Sequence, residues 1–181
     1  MAAVKARLAS GNLHKLEELR AALPGWELEL LETDRDYPPE VGASYYENAR
    51  AKAAFGRESA TPDEWVLGED SGIEVAALGG KPGIASARWA ADGVAQILAE
   101  LDGVGDRSAR YVCELVGLGP DGEERRGTGI LEGTVATERR GDEGFGYDPI
   151  FVPTGQDRTV AELGDGWKRA NSHRARAAAA L

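Results

Sequence analysis

The sequence predicts an α/β fold built on a mixed β-sheet, and three observations carry that reading. Residues 4–9, 13–23 and 26–31 run as alternating, helical and alternating segments, the strand–helix–strand order of a parallel unit. Residues 107–118 and 123–138 alternate on either side of Gly119-Pro120-Asp121-Gly122, the pattern of an antiparallel hairpin. A parallel start and an antiparallel hairpin in one chain make the sheet mixed. Helical patterns between and after these strands supply the covering layers.

The elements follow in order. Residues 4–9 form the first strand, with Gly11-Asn12 turning the chain into a helix over 13–23 whose Leu16, Leu19 and Leu23 share one face. Pro24-Gly25 stops that helix and 26–31 is the second strand. Residues 32–42 form a polar loop with two prolines. Ser44-Tyr45-Tyr46-Glu47 is a capping-box pattern that opens a helix to about Arg57. Residues 65–67 read as a short buried strand, a bend follows at Ser71-Gly72, and 73–78 continues the strand. Residues 90–101 are helical. After the hairpin comes a glycine-rich segment, 141–153, that holds Phe145, Tyr147 and Phe151. Helices over 159–163 and 167–180 close the chain.

A length of 181 residues favours one domain, 1–181, and a chain of this size buries roughly 70% of its unfolded surface without staples. Runs of about 18 apolar residues are absent, so no membrane span is expected, and residues 1–5 lack the apolar core of a signal peptide. The lone Cys113 sits among strand formers and reads as a small core hydrophobe. Together these point to the cytoplasm. A net charge of −10 argues against a nucleic-acid partner, although a local cluster of cations or a metal reverses the sign within one site. Only three Asn and two His occur, and five Lys stand beside sixteen Arg. Asn12, Asn48 and both His fall in the segments singled out below, and Asn171 directly precedes one of them.

Four groups of residues suggest chemistry. Ser10-Gly11-Asn12-Leu13-His14-Lys15 lies between a strand and a helix N-terminus, where free N–H groups and the helix dipole favour an anion. An ordinary strand–helix turn with Asn12 as its cap fits the same residues. Glu69-Asp70, in Gly68-Glu69-Asp70-Ser71-Gly72, places two carboxylates at an expected strand end, suited to a divalent metal or a water, and equally to a solvated turn or a cap. Glu40 in the proline loop is a further carboxylate. Phe145-Gly146-Tyr147-Asp148-Pro149 offers aromatic faces beside an acid, fit for stacking a base or for packing. Lys168 and Ser172-His173-Arg174 add cations and hydrogen-bonding groups at the last helix, and Lys52 adds one on the capped helix. Phosphate-loop, dinucleotide, zinc and calcium fingerprints are missing.

Taken in order, seven segments resemble one family. They are Ser10-Gly11-Asn12-x-x-Lys15, Glu47-Asn48-Ala49-x-x-Lys52-Ala53, Glu69-Asp70-Ser71-Gly72, Leu78-Gly79-Gly80-x-Pro82-Gly83-x-x-Ser86-Ala87-Arg88, Gly144-Phe145-Gly146-Tyr147-Asp148-Pro149-Ile150-Phe151, Thr159-x-Ala161-Glu162-Leu163 and Ser172-His173-Arg174. The family is the Ham1-like inosine triphosphate pyrophosphatases. The resemblance implies a long, curved mixed sheet flanked by helices, in two lobes with a central substrate cleft, and a homodimer. It implies hydrolysis of ITP, dITP and XTP to the monophosphate and pyrophosphate with Mg2+. By the same resemblance Asp70 is the catalytic acid and a metal ligand, with Glu40 and Glu69 as metal-site helpers. Ser10, Gly11, Asn12, Lys15, Lys52, Ser71 and Lys168 would contact phosphate and sugar. Phe145, Gly146, Tyr147, Asp148, His173 and Arg174 would form the base pocket. Glu69-Asp70 stands where many members carry two aspartates.

Overall fold

A computed structural model describes residues 3–181; the first two residues of the segment read as leaderless lie outside it. Six strands form one open sheet in the order β2-β1-β3-β4-β5-β6. They are β1 (Val4–Leu8), β2 (Trp26–Leu30), β3 (Trp65–Val75), β4 (Ser108–Leu118), β5 (Glu124–Val135) and β6 (Phe151–Pro153). The helices are α1 (Leu13–Ala22), α2 (Tyr45–Arg57), α3 (Gly93–Glu100), α4 (Val160–Asn171) and α5 (His173–Ala179). Strand β1 pairs in parallel with β2 and β3, whereas β5 pairs antiparallel with β6, so the sheet is mixed as the patterning predicts. Among the described residues no helix is long and apolar enough to cross a membrane.

The chain forms two compact units. One comprises Met1–Asp70, Cys113–Gly129 and Arg174–Leu181, and the other Ser71–Val112 and Ile130–His173. In the first unit, Leu16, Leu19 and Leu23 of the α1 segment pack with Ala6, Leu8, Leu28, Leu67, Cys113 and Leu115, and α5 adds Ala177 and Ala178. Cys113 is a fully buried member of this core, and burial pushes its thiol well above the ordinary range. Ala49 and Ala53 of α2 pack with Val116. The second unit has its own core of Ile73, Val75, Ile97, Leu101, Tyr111, Leu131, Ile150 and Phe151 among others.

Three local expectations change. First, β3 is one continuous strand through Ser71-Gly72, with a 3-10 turn at Ala76–Leu78, so Glu69 and Asp70 lie inside a strand rather than at its end. The β1–β3 pairing does stop just before them, at Leu8↔Leu67, where the Ala9 N–H donates to the Leu67 carbonyl at 2.8 Å. Second, the helix read over 167–180 is broken at Ser172, which is extended (φ −64°, ψ 161°) and separates α4 from α5. Gly164 kinks α4 with φ 83°, a conformation that glycine reaches without a Cβ penalty. Third, the cap of α2 is a variant box: Ser44 accepts from the Glu47 N–H at 3.2 Å, but the Glu47 carboxylate takes the Ala43 N–H at 2.6 Å. The complete box occurs instead at Thr159 and Glu162, opening α4.

Candidate active site

Consecutive residues of a strand point to opposite faces, and that geometry divides the acidic pair. Gly68 and Asp70 face α2. A Cβ at Gly68 would lie 2.0 Å from the Ala49 carbonyl oxygen and 2.6 Å from the Ala53 nitrogen, so only glycine lets α2 lie this close. The close approach brings two α2 side chains onto Asp70. Asn48 donates Nδ2 to Asp70 Oδ2 at 2.9 Å, and Lys52 Nζ lies 3.4 Å from Asp70 Oδ1. Lys52 also donates to the Glu69 carbonyl at 3.1 Å and forms a short bond to Glu40 Oε1. Asn48 Oδ1 accepts the Gly42 N–H at 2.8 Å, which ties the Glu40 loop to the same helix.

In this group the Asp70 and Glu40 carboxylates both meet the Lys52 ammonium. Burial holds Asp70 above the ordinary aspartate range; Lys52 and Asn48 pull it down, and Glu40 and Glu69 add to the rise. Burial opposes the charge on Lys52, but Asp70, Glu40 and Glu69 outweigh it and hold the ammonium above the usual lysine value.

Glu69 faces the other way. Its carboxylate is fully enclosed and takes Lys15 Nζ at 2.6 Å and Arg174 Nε at 3.0 Å. Arg174 also reaches Glu18 at 3.4 Å, and the Cys113 thiol lies 3.6 Å from Glu69 Oε1. The turn before α1 is built as a cap: Asn12 Oδ1 accepts from the N–H groups of His14 (3.0 Å) and Lys15 (3.3 Å), and the Asn12 N–H bonds Ser10 Oγ at 3.1 Å. Gly11 has open space around it.

The glycine-rich segment of the second unit builds a second constellation. Asp148 is buried at the start of a 3-10 turn, Asp148–Ile150. Its Oδ2 accepts from Lys168 Nζ at 2.6 Å and from the Phe145 N–H at 2.8 Å, and its Oδ1 from the Tyr111 hydroxyl at 3.2 Å. Gly144 makes room for this carboxylate, since a Cβ there would meet Asp148 Oδ2 at 2.3 Å and its φ is +76°. Lys168 Nζ stands 4.0 Å above the Phe145 ring, a cation–π contact. His173 stacks on Tyr111, while Tyr147 turns its ring into the core and donates its hydroxyl to the Ser86 carbonyl at 2.8 Å. Gly146 is exposed, and Ser71 is half-buried on β3.

The structure thus gathers Asp70, Glu40 and Lys52 in one cluster, Glu69, Lys15 and Arg174 in a second, and Phe145, Asp148 and Lys168 in a third. His173 and Arg174, adjacent in sequence, belong to different units. Sequence reasoning gave no site role to Asn48, Glu18 or Tyr111. The scarcity of Asn was the available signal for Asn48, and the i, i+3 spacing from Lys15 was the signal for Glu18. Tyr111 carried none beyond its strand.

The sequence model of the Ham1 family matches residues 6–181. The chain belongs to the Ham1 family. A relative from Mycobacterium tuberculosis named dITP/XTP pyrophosphatase is 44% identical over 196 residues, covering 98% of this chain and 93% of the relative. One of the same name from Bdellovibrio bacteriovorus is 44% identical over 147 residues, 77% of this chain and 73% of its own. Among solved structures, a Ham1 protein from Coxiella burnetii superposes with a TM-score of 0.83 at 33% identity, covering 97% of this chain and 95% of that one. The Staphylococcus aureus Ham1 protein gives 0.82 at 35% identity, with 96% and 93% covered. The mixed sheet flanked by helices, which the resemblance implied, is shared with these Ham1 structures.

Proposed function

We propose that this Ham1 family chain hydrolyses deaminated-purine nucleoside triphosphates (ITP, dITP and XTP) to the monophosphate and pyrophosphate, clearing them from the nucleotide pool. The carrying observation is the near-full-length similarity to relatives named dITP/XTP pyrophosphatase. The Asp70 cluster gives that name a chemistry. One family match over residues 6–181 supports reading 1–181 as a single domain. A homodimer and a cytoplasmic location follow from the resemblance and the composition, without a nucleic-acid or membrane partner. Light scattering tests the dimer, and a monomer at micromolar concentration would contradict it.

Asp70 is the residue we assign to water activation. Its carboxylate takes the proton of a water whose oxygen bonds to the α-phosphorus. The bond from that phosphorus to the α–β bridging oxygen breaks, and pyrophosphate leaves with the electron pair. Asn48 orients the carboxylate. Lys52, Lys15, Lys168, Ser71 and the Ser10-Gly11-Asn12 turn are assigned to phosphate and sugar, where fixed positive charge offsets the charge that develops on oxygen. Phe145, Gly146, Tyr147, Asp148, His173 and Arg174 are assigned to the base side. A donor facing the 6-oxo group rejects adenine, whose 6-amino group would leave that donor buried and unpaired.

The donor set fits Mg2+. Asp70 Oδ1, a Glu40 carboxylate oxygen and the Glu69 carbonyl already surround one cation, the Lys52 ammonium. All are hard oxygen donors, the kind that Mg2+ takes. Among the described residues no group of three or more His, Cys, Asp or Glu is arranged to hold a metal alone. Mg2+ is commonly held by one or two carboxylates together with substrate phosphates. Asp70 and Glu40 would hold it, and the ion would neutralise phosphate charge when bound. Glu69 helps through its carbonyl oxygen, while its carboxylate holds Lys15 and Arg174.

Two measurements follow. Given dITP, XTP, dGTP and dATP with Mg2+, the protein should release pyrophosphate chiefly from the first two, and EDTA should stop it. Release of orthophosphate, or equal use of dATP, would sink the assignment. The second concerns pH. Asp70 must be ionised to act, and burial raises its pKa. Activity should therefore fall, as pH falls, above the ordinary aspartate range. Lys52→Gln removes a charge that pulls the Asp70 pKa down, so the acid limb of kcat/KM should move to higher pH. A limb that stays in place would detach Lys52 from the ionisation of Asp70.

A further inference from the structure

We propose that Tyr111 is a positioning residue for base recognition, bracing Asp148 and His173 with one side chain; the inference rests on the base-side reading above. Tyr111 lies on β4 and is 6% exposed. Its hydroxyl donates to Asp148 Oδ1 at 3.2 Å. Its ring lies parallel to the His173 imidazole, 4.5 Å between centroids with 9° between planes. It also packs on Phe151, at 4.5 Å and 45°. Asp148 and His173 come from separate parts of the sequence, and Tyr111 touches both.

The consequences follow from the chemistry of each contact. A carboxylate held only at Oδ2 by Lys168 and the Phe145 N–H turns about its terminal torsion, which is soft and broad. The phenol fixes the second oxygen and so the roll of the group. Lys168 rests on Phe145 as well as on Asp148, so its place above the aromatic face follows that of Asp148. The stack limits the His173 ring plane, and with it which ring edge is offered to a base. Losing the Tyr111 ring would remove that stacked contact from His173. Base discrimination depends on donors and acceptors held in fixed directions, and Tyr111 supplies that constraint for two of them.

The test compares wild type with Tyr111→Phe and Tyr111→Leu in steady-state kinetics on dITP, dGTP and dATP, alongside imidazole NMR. With only His14 and His173 in the chain, assignment is direct. Tyr111→Phe keeps the ring volume and the stack. It should raise KM for dITP about tenfold with kcat held within about twofold, the scale of one hydrogen bond to a charged group. Tyr111→Leu should also lower the preference for dITP over dGTP about tenfold and shift the His173 resonance on loss of the ring current. Wild-type KM and preference in both variants would overturn the proposal. So would parallel losses on all three nucleotides that track a lowered melting temperature, since that is a structural role only. A wild type that does not turn over dITP would remove the base-side reading and this inference together, and is told apart by that first measurement.

Discussion

Asp70→Asn should lower dITP turnover by about a thousandfold or more, within the range for a positioned proton acceptor, while nucleotide still binds. The same variant should be at least as stable as the wild type. Burial raises the Asp70 pKa in the folded chain, so the folded state holds that proton more tightly than the unfolded state does. Ionising Asp70 therefore costs stability. The cost is absent below the unfolded pKa, grows through the window up to the raised folded pKa, and is present in full above it. Asparagine removes the charge, and its amide oxygen still accepts from Asn48. Equilibrium dialysis with dITP and calorimetry at pH 7 check the two halves. A melting temperature lowered by several degrees would mean that the carboxylate is a structural element and that its loss of activity reflects unfolding.

Gly68→Ala should be the most destabilising single-methyl change near the site. The added Cβ would meet the Ala49 carbonyl oxygen at 2.0 Å and the Ala53 nitrogen at 2.6 Å. Both are backbone atoms of α2 and cannot swing aside, so the helix must move off the sheet. Overpacking of this kind costs about 3 kcal/mol, toward the upper end of the usual range. Because α2 carries Asn48 and Lys52, activity should fall further than the folded fraction does. Urea unfolding reads the stability, with Gly11→Ala as a control whose new methyl group meets nothing within 4 Å. A Gly68→Ala protein within about 0.5 kcal/mol of wild type, the scale of an ordinary surface change, would refute the close-packing account.

Much of the architecture was legible because local pattern and tertiary need agreed. Alternation gave β1, β2, β4 and β5, and Pro24-Gly25 and Gly119-Pro120-Asp121-Gly122 marked their turns. The pattern failed where tertiary contacts overrode a local signal. Ser71-Gly72 reads as a bend, yet β3 runs through it within a six-stranded sheet whose pairing outweighs the cost of glycine in a strand. Ser172 carries no glycine or proline to announce the end of α4. Strand β6 is only three residues long and was hidden in the glycine-rich segment.

In the site, the residue types were readable but their grouping was not. Glu69 and Asp70 looked like one acidic pair because an expected strand end hides the two-residue period. Inside a continuous strand they face opposite ways, one toward α2 and Lys52, the other toward Lys15 and Arg174. Lys168 bonds Asp148 and covers Phe145, residues about twenty positions away in the glycine-rich segment. Such pairings join residues far apart in the chain, and periodicity carries no record of them.

The central claim is that a water activated at Asp70 attacks the α-phosphorus. Hydrolysis of dITP in 18O-water, with mass spectrometry of the products, tests it most directly. One 18O in dIMP and none in pyrophosphate is the predicted result. Label in pyrophosphate, or in released orthophosphate, would contradict it.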